Sequence, residues 1–277
     1  MRTNDITTIV EGFISDSPHN YISKDVALRP KYINMKIFEA PLTAFGAAED
    51  ELFNKYKSSN IIGSHFLTPI EWLPGAKTVI SIFFPYSDEI KAANSLDCSW
   101  PAEEWLHGRI EGQLCIRLLL DNLVKTISEA GFKSLAPSLD ERYHIGGQPN
   151  EVSGSEDVSK FASNWSERHV AYACGLGTFG LSKGIITKKG MAGRFGSIVT
   201  ELDLPKDVRE YSEVYEYCTM CGGCINRCPV QAITIEGGKR SATCGDFLDK
   251  VRENHKPRYG CGKCQVSVPC ASEIPVK

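Results

Sequence analysis

The sequence predicts an α+β protein in two parts, a body of helices and strands over residues 1–205 and a cysteine-rich tail over residues 206–277. Two observations support this division. Helical and extended hydrophobic patterns are interleaved before Pro205, which is typical of a layered α/β or α+β body. Eight of the eleven cysteines lie after residue 217, so the tail is expected to have a chemistry of its own.

The body elements can be placed in order along the chain. Residues 41–58 carry apolar side chains at helical spacing. The run KTVISIFFPY at 77–86 is almost continuously β-branched and aromatic, which is typical of a strand covered on both faces. The longest helix is predicted over 104–130, with Gly131 as its stop. The remaining elements are a strand over 132–140, an exposed loop over 141–160, a short helix over 166–174 and a strand over 193–204.

Composition excludes several classes of protein. The chain has 277 residues, with 31 basic and 34 acidic side chains and a formal net charge of −3. Such a balance provides no overall attraction to nucleic acid or to an anionic membrane. No stretch approaches the roughly 18 apolar residues of a membrane span, and the first residues do not resemble a signal peptide. We therefore expect a cytoplasmic protein with no membrane partner.

The strongest motif lies at the start of the tail. Cys218, Cys221, Cys224 and Cys228 follow the spacing C-x2-C-x2-C-x3-C, and Pro229 comes next. In bacterial ferredoxins this run holds a [4Fe-4S] cube with its first three cysteines, while the fourth binds a second cube. The tail supplies four further cysteines to complete both sites. The predicted ligands are Cys218, Cys221, Cys224 and Cys270 for cluster one, and Cys228, Cys244, Cys261 and Cys264 for cluster two.

Zinc and disulfides account for the cysteine spacing less well than iron-sulfur clusters do. Structural zinc joins two short cysteine knuckles across a spacer, and a third cysteine at another x2 step has no place in that pattern. A disulfide cluster is not expected in a cytosolic protein. Cys98, Cys115 and Cys174 stand apart in the sequence, and isolated cysteines are usually small buried hydrophobic residues.

The chain resembles the epoxyqueuosine reductase-like iron-sulfur proteins, which are related to the reductive dehalogenases. The resemblance runs from about residue 40 to the end. It is carried by PGAKTVISIFFPY (74–86), ERHVAYACGLGTFGLSKGIIT (167–187), GSIVTELDL (196–204) and the cysteine tail. It implies a nitroreductase-like, cobalamin-binding body and a ferredoxin-like tail with two [4Fe-4S] clusters that pass electrons to cobalt. A redox donor of ferredoxin or flavodoxin type is the implied partner.

The resemblance also suggests residues that contact the cofactor. The turn GLGTFG formally fits the dinucleotide pattern G-x-G-x-x-G, but it follows a helical segment and not a strand, so we interpret it as a turn that approaches a large flat ligand. Arg194 and the WLHGR stretch (105–109) are candidates for holding corrin amide or phosphate groups. The predicted cofactor-binding residues are Asn164, Trp165, Gly175, Gly177, Thr178, Phe179, Gly180 and Arg194.

The sequence departs from the family pattern in two places. Family members carry a proton-donating aspartate just before the equivalent of Glu167, and KFASNWSER (160–168) has no acid there. Asp140 is the candidate replacement, with Glu141, Tyr143 and His169 as alternatives. The spacing Cys264-x5-Cys270, with proline before the last cysteine, also differs from the family's x3 spacing with proline after it.

These observations predict an iron-sulfur oxidoreductase that passes single electrons to a bound cobalamin. The expected substrate is a small organic electrophile, a modified-nucleoside epoxide, or the corrinoid of a partner protein. The missing aspartate and the negative net charge disfavour tRNA. The alternatives are a non-catalytic two-cluster electron carrier and a corrinoid-reducing activator of a partner protein.

Overall fold

The fold is taken from a computed structural model, which describes residues 1–145 and 162–276. The helices are α1 Thr3–Asp16, α2 Glu51–Lys55, α3 Pro69–Trp72, α4 Asp88–Ser95, α5 Glu103–Glu129, α6 Glu167–Ala173, α7 Gly223–Asn226 and α8 Ser241–His255. The strands are β1 Leu42–Ala47, β2 Thr78–Pro85, β3 Ser134–Leu135, β4 Gly177–Phe179, β5 Ile185–Thr187, β6 Gly193–Thr200, β7 Ile233–Thr234 and β8 Gly238–Lys239.

A four-stranded antiparallel sheet in the order β1-β2-β6-β3 forms the centre of the body. Every residue of β2 is buried, which confirms the prediction of a strand covered on both faces. On one face the sheet packs against α1 and α5. On the other face it packs against α2, α6 and the aromatic side chains of the loop between β1 and β2. The mixed helix-and-strand body predicted from the sequence is confirmed.

Helix α5 matches its predicted bounds closely and packs one face into the core. Leu114 is 49% exposed, whereas Leu119, Leu120 and Leu123 are completely buried. Two glycines allow α5 to approach its neighbours. A Cβ at Gly108 would lie 2.7 Å from the Tyr86 ring, and a Cβ at Gly112 would lie 2.7 Å from the Phe38 ring.

Two predicted elements are wrong in type or extent. Residues 41–58 do not form one helix, because Leu42–Ala47 pair along β2 as strand β1, and only the short α2 follows. Pairing with a buried strand outweighs the local helical spacing. The strand predicted over 132–140 is limited to Ser134–Leu135 and gives way to a 3-10 turn at Pro137. The loop predicted over 141–160 lies mostly outside the described residues.

The tail packs closely against the body. The connection from 201 to 222, described throughout, contains no helix or strand, and a body-tail boundary at 205 remains a prediction. Val266 lies in the same core cluster as α5, and Leu106 of α5 packs with Phe247 and Val251 of α8. Among the helices in the described ranges, none combines the length and the apolar character needed to cross a membrane.

Candidate iron-sulfur and cofactor site

A small cavity lies between the first cysteine loop (218–224), the β4–β5 hairpin and the C-terminal segment. We call it the small cavity. Its wall includes Cys218, Cys221, Cys224 and Cys270, together with Met191 and Gly180. These are the four cysteines that the sequence assigns to cluster one. The structure therefore brings Cys270, the ligand with the unusual spacing, to the three cysteines of the first loop.

The large cavity is a second space of about 540 Å³ between the body and the tail. Its tail side includes all four cysteines assigned to cluster two, namely Cys228, Cys244, Cys261 and Cys264. Its body side is formed by Tyr86, Trp105, Arg109, Arg168 and Arg194. A cluster held by these cysteines would therefore face the body across the same cavity.

Left-handed backbone conformations curl both cysteine loops. Met220 has a φ of 52° and Gly222 a φ of 72°, one on each side of Cys221. Between Cys261 and Cys264, Gly262 has a φ of 64°. Such left-handed residues turn successive backbone N–H groups toward one point, an arrangement common around iron-sulfur clusters. The Ala232 amide also donates a hydrogen bond to the Cys228 sulfur at 3.2 Å, a contact of the kind that tunes cluster potentials.

Cys270 reaches the small cavity because backbone hydrogen bonds hold the C-terminal segment against the residues just before β6. The Met191 amide donates to the Cys270 carbonyl at 3.0 Å, and the Ala192 amide donates to the Ala271 carbonyl at 3.1 Å. The crossing requires glycine at position 190. A Cβ there would lie 2.3 Å from the Ala271 carbonyl oxygen, and the φ of Gly190 is +72°.

Buried thiols in both cysteine sets would lose their protons on binding iron. Burial, followed by the neighbouring cysteines, raises the pKa of Cys224 to about 11 and of Cys270 to about 12. Burial likewise raises the pKa of Cys261 to about 12. Cysteine binds the irons of an iron-sulfur cluster as thiolate, so cluster assembly would displace these protons. Over the described residues, no three His, Cys, Asp or Glu side chains are close enough to share a single metal ion.

Basic side chains dominate the wall of the large cavity. Arg109, Arg168, Arg194, Lys239 and Arg252 line it, whereas Asp249 is the lining acid. Burial by itself lowers the pKa of Lys239, but Cys264 and Cys244, in their thiolate forms, outweigh burial and raise that pKa. Lys239 is thus placed to balance the charge of a cluster on these cysteines.

The wall of the large cavity also suits a cobalamin in its chemistry. Tyr86 and Trp105 offer aromatic surfaces, and the guanidinium groups offer donors for amide or phosphate oxygens. The Nε atom of Arg194 is buried without a partner among the described residues.

The glycine-rich turn does not line the large cavity. Gly175 ends α6 with a φ of +93°, and a Cβ at Gly177 would lie 1.9 Å from the Ile186 carbonyl oxygen of β5. The Thr178 hydroxyl accepts a hydrogen bond from the Tyr217 amide at 2.9 Å, and Phe179 packs against His169. These residues form a helix end and a tight hairpin. Of this group only Gly180 reaches a described cavity, the small one.

Asn164 and Trp165 have structural roles in the body. The Asn164 side chain accepts from the His144 amide and donates to the Arg142 carbonyl. Trp165 is buried against Phe66, and its Nε1 donates to the Ser197 hydroxyl at 2.9 Å. Neither residue lines a described cavity, so of the predicted cofactor contacts only Arg194 faces the large one.

Asp140 is placed poorly for proton donation. Its carboxylate is paired with Arg142 at 2.8 Å, and this hydrogen bond lowers its pKa. It lies outside both described cavities. Among the alternatives, His169 has a pKa lowered to about 4 by burial, while burial raises the pKa of Tyr143. His169 is therefore a neutral histidine packed between aromatic rings, and not a proton donor at neutral pH.

Several side chains at the large cavity were not predicted from the sequence. Arg168 and Lys239 were missed because a single basic residue in a sequence has no distinguishing spacing. Tyr86 follows the predicted strand β2 directly, and this position at a strand end was the available signal. Tyr259 accepts a hydrogen bond from Arg109 Nη2 at 2.6 Å, a contact across 150 residues that no local pattern reveals.

Comparisons with known proteins agree with this geometry. A family model described as 4Fe-4S binding domain matches residues 212–234. The epoxyqueuosine reductase of Leadbetterella byssophila is 26% identical over 233 residues, covering 75% of this chain and 64% of that protein. The epoxyqueuosine reductase of Bacillus cereus is 27% identical over 218 residues, covering 71% and 49%. The chain thus spans about half to two thirds of the length of these relatives.

Two solved structures share the fold. The epoxyqueuosine reductase from Streptococcus thermophilus has a TM-score of 0.50 at 19% identity, covering 85% of this chain and 64% of that one. A reductive dehalogenase described for B12-dependent dehalogenation has a TM-score of 0.52 at 15% identity, covering 85% and 30%. At these identities the likeness concerns the fold alone. The chain is therefore a relative of the epoxyqueuosine reductases, as its sequence predicts, and it carries a 4Fe-4S binding domain.

Proposed function

We propose that the chain is an iron-sulfur oxidoreductase in which two [4Fe-4S] clusters pass single electrons to a cobalamin held in the large cavity. One observation carries the proposal most directly. The eight tail cysteines divide between the two cavities as four and four, and the second set shares its cavity with the arginines and aromatic residues of the body. A relay that ends beside a large, basic, aromatic cavity has a place to deliver electrons.

The arrangement of the two cysteine sets supplies a path for electrons. Helix α7, which carries Cys224, packs against the 3-10 turn Lys263–Gln265, which carries Cys264, so the two cysteine sets adjoin each other. Cys221 and Met220 of the first loop are exposed, which favours cluster one as the entry point for a redox donor protein. Cluster two then lies between cluster one and the large cavity.

A cobalamin bound in the large cavity would supply cobalt for one-electron reductive chemistry. Arg109 and Arg194 would orient its polar groups, and Tyr86 and Trp105 would pack against it. Burial raises the pKa of Tyr86, whereas Arg194 and Arg109 act in the opposite direction. Tyr86 thus holds a proton at the cavity wall at neutral pH. The substrate is proposed to be a small electrophile, including a nucleoside epoxide, or a corrinoid protein; the net charge argues against tRNA.

Cluster content provides the first test. After anaerobic reconstitution, the chain is expected to bind about eight irons and eight sulfides. Cys270→Ala and Cys244→Ala are each expected to retain about half of this content, with loss from different clusters. Cys98→Ala, which changes an exposed cysteine outside both sets, is the matched control. Four irons in the unchanged chain would contradict the two-cluster assignment.

The second test addresses cobalamin. The reconstituted chain is titrated anaerobically with hydroxocobalamin, before and after addition of a low-potential reductant, and followed by absorbance. A saturable change in the corrin bands, followed by reduction of the bound cobalt, is expected. Cluster bleaching without corrin binding would instead favour the electron carrier. Reduction of an added corrinoid protein without binding of free cobalamin would favour the activator.

A further inference from the structure

Two arginines in the large cavity carry more positive charge than the surrounding protein neutralises. Arg109 comes from α5 and Arg194 from the start of β6, and both face the cavity. The Nη2 atom of Arg194 donates to the side-chain oxygen of Gln113, which lies one helical turn beyond Arg109 on α5. The two guanidinium groups are therefore held on the same wall.

These two arginines act on each other unfavourably. Burial lowers the pKa of Arg194 to about 10, and the charge of Arg109 is the next largest cause. The groups that act in the opposite direction are Tyr86 and Tyr259, which are phenols and not carboxylates. No carboxylate in the described residues forms a salt bridge with Arg194 or Arg109. The charge of Arg194 also acts on the buried carboxyl of Glu167, but one carboxyl could offset only one of the two arginine charges.

The negative charge of cluster two does not account for this arrangement. Arg168 and Lys239 respond to the charges of Cys264 and Cys244, so these two cations already face that cluster. Arg252 is paired with Asp249 at 3.1 Å. Arg194, by contrast, responds to Arg109, Arg168 and the two tyrosines. A separate anion is the missing partner.

We infer that Arg109 and Arg194 form a subsite for an oxyanion, a phosphate or carboxylate group of the ligand in the large cavity. Within the described part of the chain, the buried Nε of Arg194 lacks a partner, and a planar guanidinium presents its donors to such a group in a matching fork. The Tyr86 hydroxyl, beside both arginines, is a further donor to an oxyanion. The subsite deepens the proposed function and rests on it for the ligand, since it lies in the same cavity, but it requires only the chain's own residues.

Inorganic phosphate is the first probe, with binding to the cluster-reconstituted chain measured by calorimetry. Arg194→Gln and Arg109→Gln are each expected to weaken phosphate binding about tenfold or more, because each removes a charged hydrogen-bond donor. Arg117→Gln, an exposed position on α5, makes the same change in net charge outside the cavity and should leave binding unaltered. Arg194→Lys keeps the positive charge and should restore part of the lost phosphate affinity. A general folding defect at position 194 would not give this result. Equal phosphate affinity in the unchanged chain and all of these variants would overturn the subsite.

A pair of corrinoids identifies the source of the oxyanion. Cobinamide lacks the phosphate-containing nucleotide loop of cobalamin. If that phosphate is the anion, the unchanged chain will bind cobalamin about tenfold tighter than cobinamide, and Arg194→Gln will abolish the difference. If the anion belongs to the substrate, the two corrinoids will bind alike, and phosphate will bind together with cobalamin. Both outcomes support the subsite.

The corrinoid-binding measurements also distinguish a failure of the subsite from a failure of the proposed function. Arginine-dependent phosphate binding without any corrinoid binding would refute cobalamin as the cofactor and leave the subsite standing. If the chain binds corrinoids but its phosphate affinity does not depend on Arg194 or Arg109, cobalamin would be supported as the cofactor and the subsite would be refuted.

Discussion

Glu167 is a buried ionisable residue near Ser197 and Arg194. Both of its carboxylate oxygens are buried and lack hydrogen-bond partners among the described residues. Burial raises its pKa from 4.5 to about 7, while Ser197 and Arg194 act to lower it. A buried carboxyl of this kind is stable as the neutral acid and becomes costly when it ionises.

The raised pKa of Glu167 determines the sign of a pH effect. The folded chain holds a proton that the unfolded chain has released, so stability falls as the pH rises from about 4.5 to about 7. Glu167→Gln removes this penalty. The difference in free energy of unfolding between Glu167→Gln and the unchanged chain is therefore expected to increase, in favour of the variant, by about 2 kcal/mol from about pH 5 to about pH 8. Unfolding in guanidinium chloride, followed at both pH values, measures these free energies.

The control for this comparison is Glu253→Gln, which changes an exposed carboxylate on α8. Its difference from the unchanged chain should be nearly the same at both pH values. A pH-independent difference for Glu167→Gln as well would mean that Glu167 is ionised in the folded chain throughout this range, against the expectation from its burial.

At the scale of elements, glycine decides where segments cross. Gly190 precedes β6, and the C-terminal segment that carries Cys270 passes directly over it. Gly190→Ala would introduce a left-handed alanine, at a cost of about 1–3 kcal/mol, and would push a Cβ into the Ala271 carbonyl. We expect lower stability and a selective loss of cluster one, measured as iron content and cluster absorbance.

Gly12→Ala is the matched control for Gly190→Ala. Gly12 lies inside α1, and a Cβ there would meet nothing within 4 Å. The same substitution should therefore stabilise the chain by up to about 1 kcal/mol through helix propensity, with both clusters retained. Retention of cluster one in Gly190→Ala would show that the C-terminal segment holds Cys270 by other contacts.

Helix α4 supports the second cysteine loop through Asn94. This side chain is completely buried, donates to the Cys261 carbonyl at 3.0 Å and accepts from the Ala102 amide at 3.0 Å. The buried Lys263 ammonium also donates to the Asn94 carbonyl at 2.9 Å. A side chain on α4 thus fixes the loop between Cys261 and Cys264.

Asn94→Ala would leave two buried backbone groups without partners. We expect a loss of about 1–3 kcal/mol in the free energy of unfolding and a preferential loss of iron from cluster two. Asn122→Ala, at an exposed position on α5, should change neither quantity. Equal loss from both clusters would indicate a general destabilisation and would remove the specific role of Asn94.

At the scale of the whole molecule, one buried polar network joins the N-terminal region, α5 and the tail. The Leu28 amide donates to His107 Nε2, so Nδ1 carries the proton and donates to Glu111 at 3.0 Å. Arg258 of the tail donates both to Glu111 and to the Val26 carbonyl. Glu111 is the acceptor on which two of these donors converge.

Glu111→Gln would leave the buried Arg258 guanidinium without its counter-charge. Removing one partner of a buried ion pair typically costs several kcal/mol, and we expect a loss of about 3 kcal/mol here. Limited proteolysis should also cleave the tail faster, because the network holds it to the body. Glu129→Gln changes an exposed pair with Lys125 on the same helix and should cost at most about 0.5 kcal/mol. Equal effects of the two substitutions would contradict the role of the network.

Local sequence patterns predicted the elements whose signals are long or buried. β2 and α5 have nearly their predicted bounds, because eight buried strand residues and twenty-seven helical ones leave little ambiguity. The pattern failed at β1, where the pairing partner decides the structure. The glycines of the turn 175–180 serve a helix end and a hairpin contact, and they do not line the large cavity.

The sequence by itself determined the chemistry of the tail, because thiolate spacing along the chain is set by the geometry of the cube that it surrounds. It also determined the central strand and the long helix, since their hydrophobic patterns are local. Only the tertiary structure decided which body residues face the tail cysteines. Arg109, Arg168 and Arg194 come from three elements that are distant in the chain, and their convergence depends on packing and not on spacing.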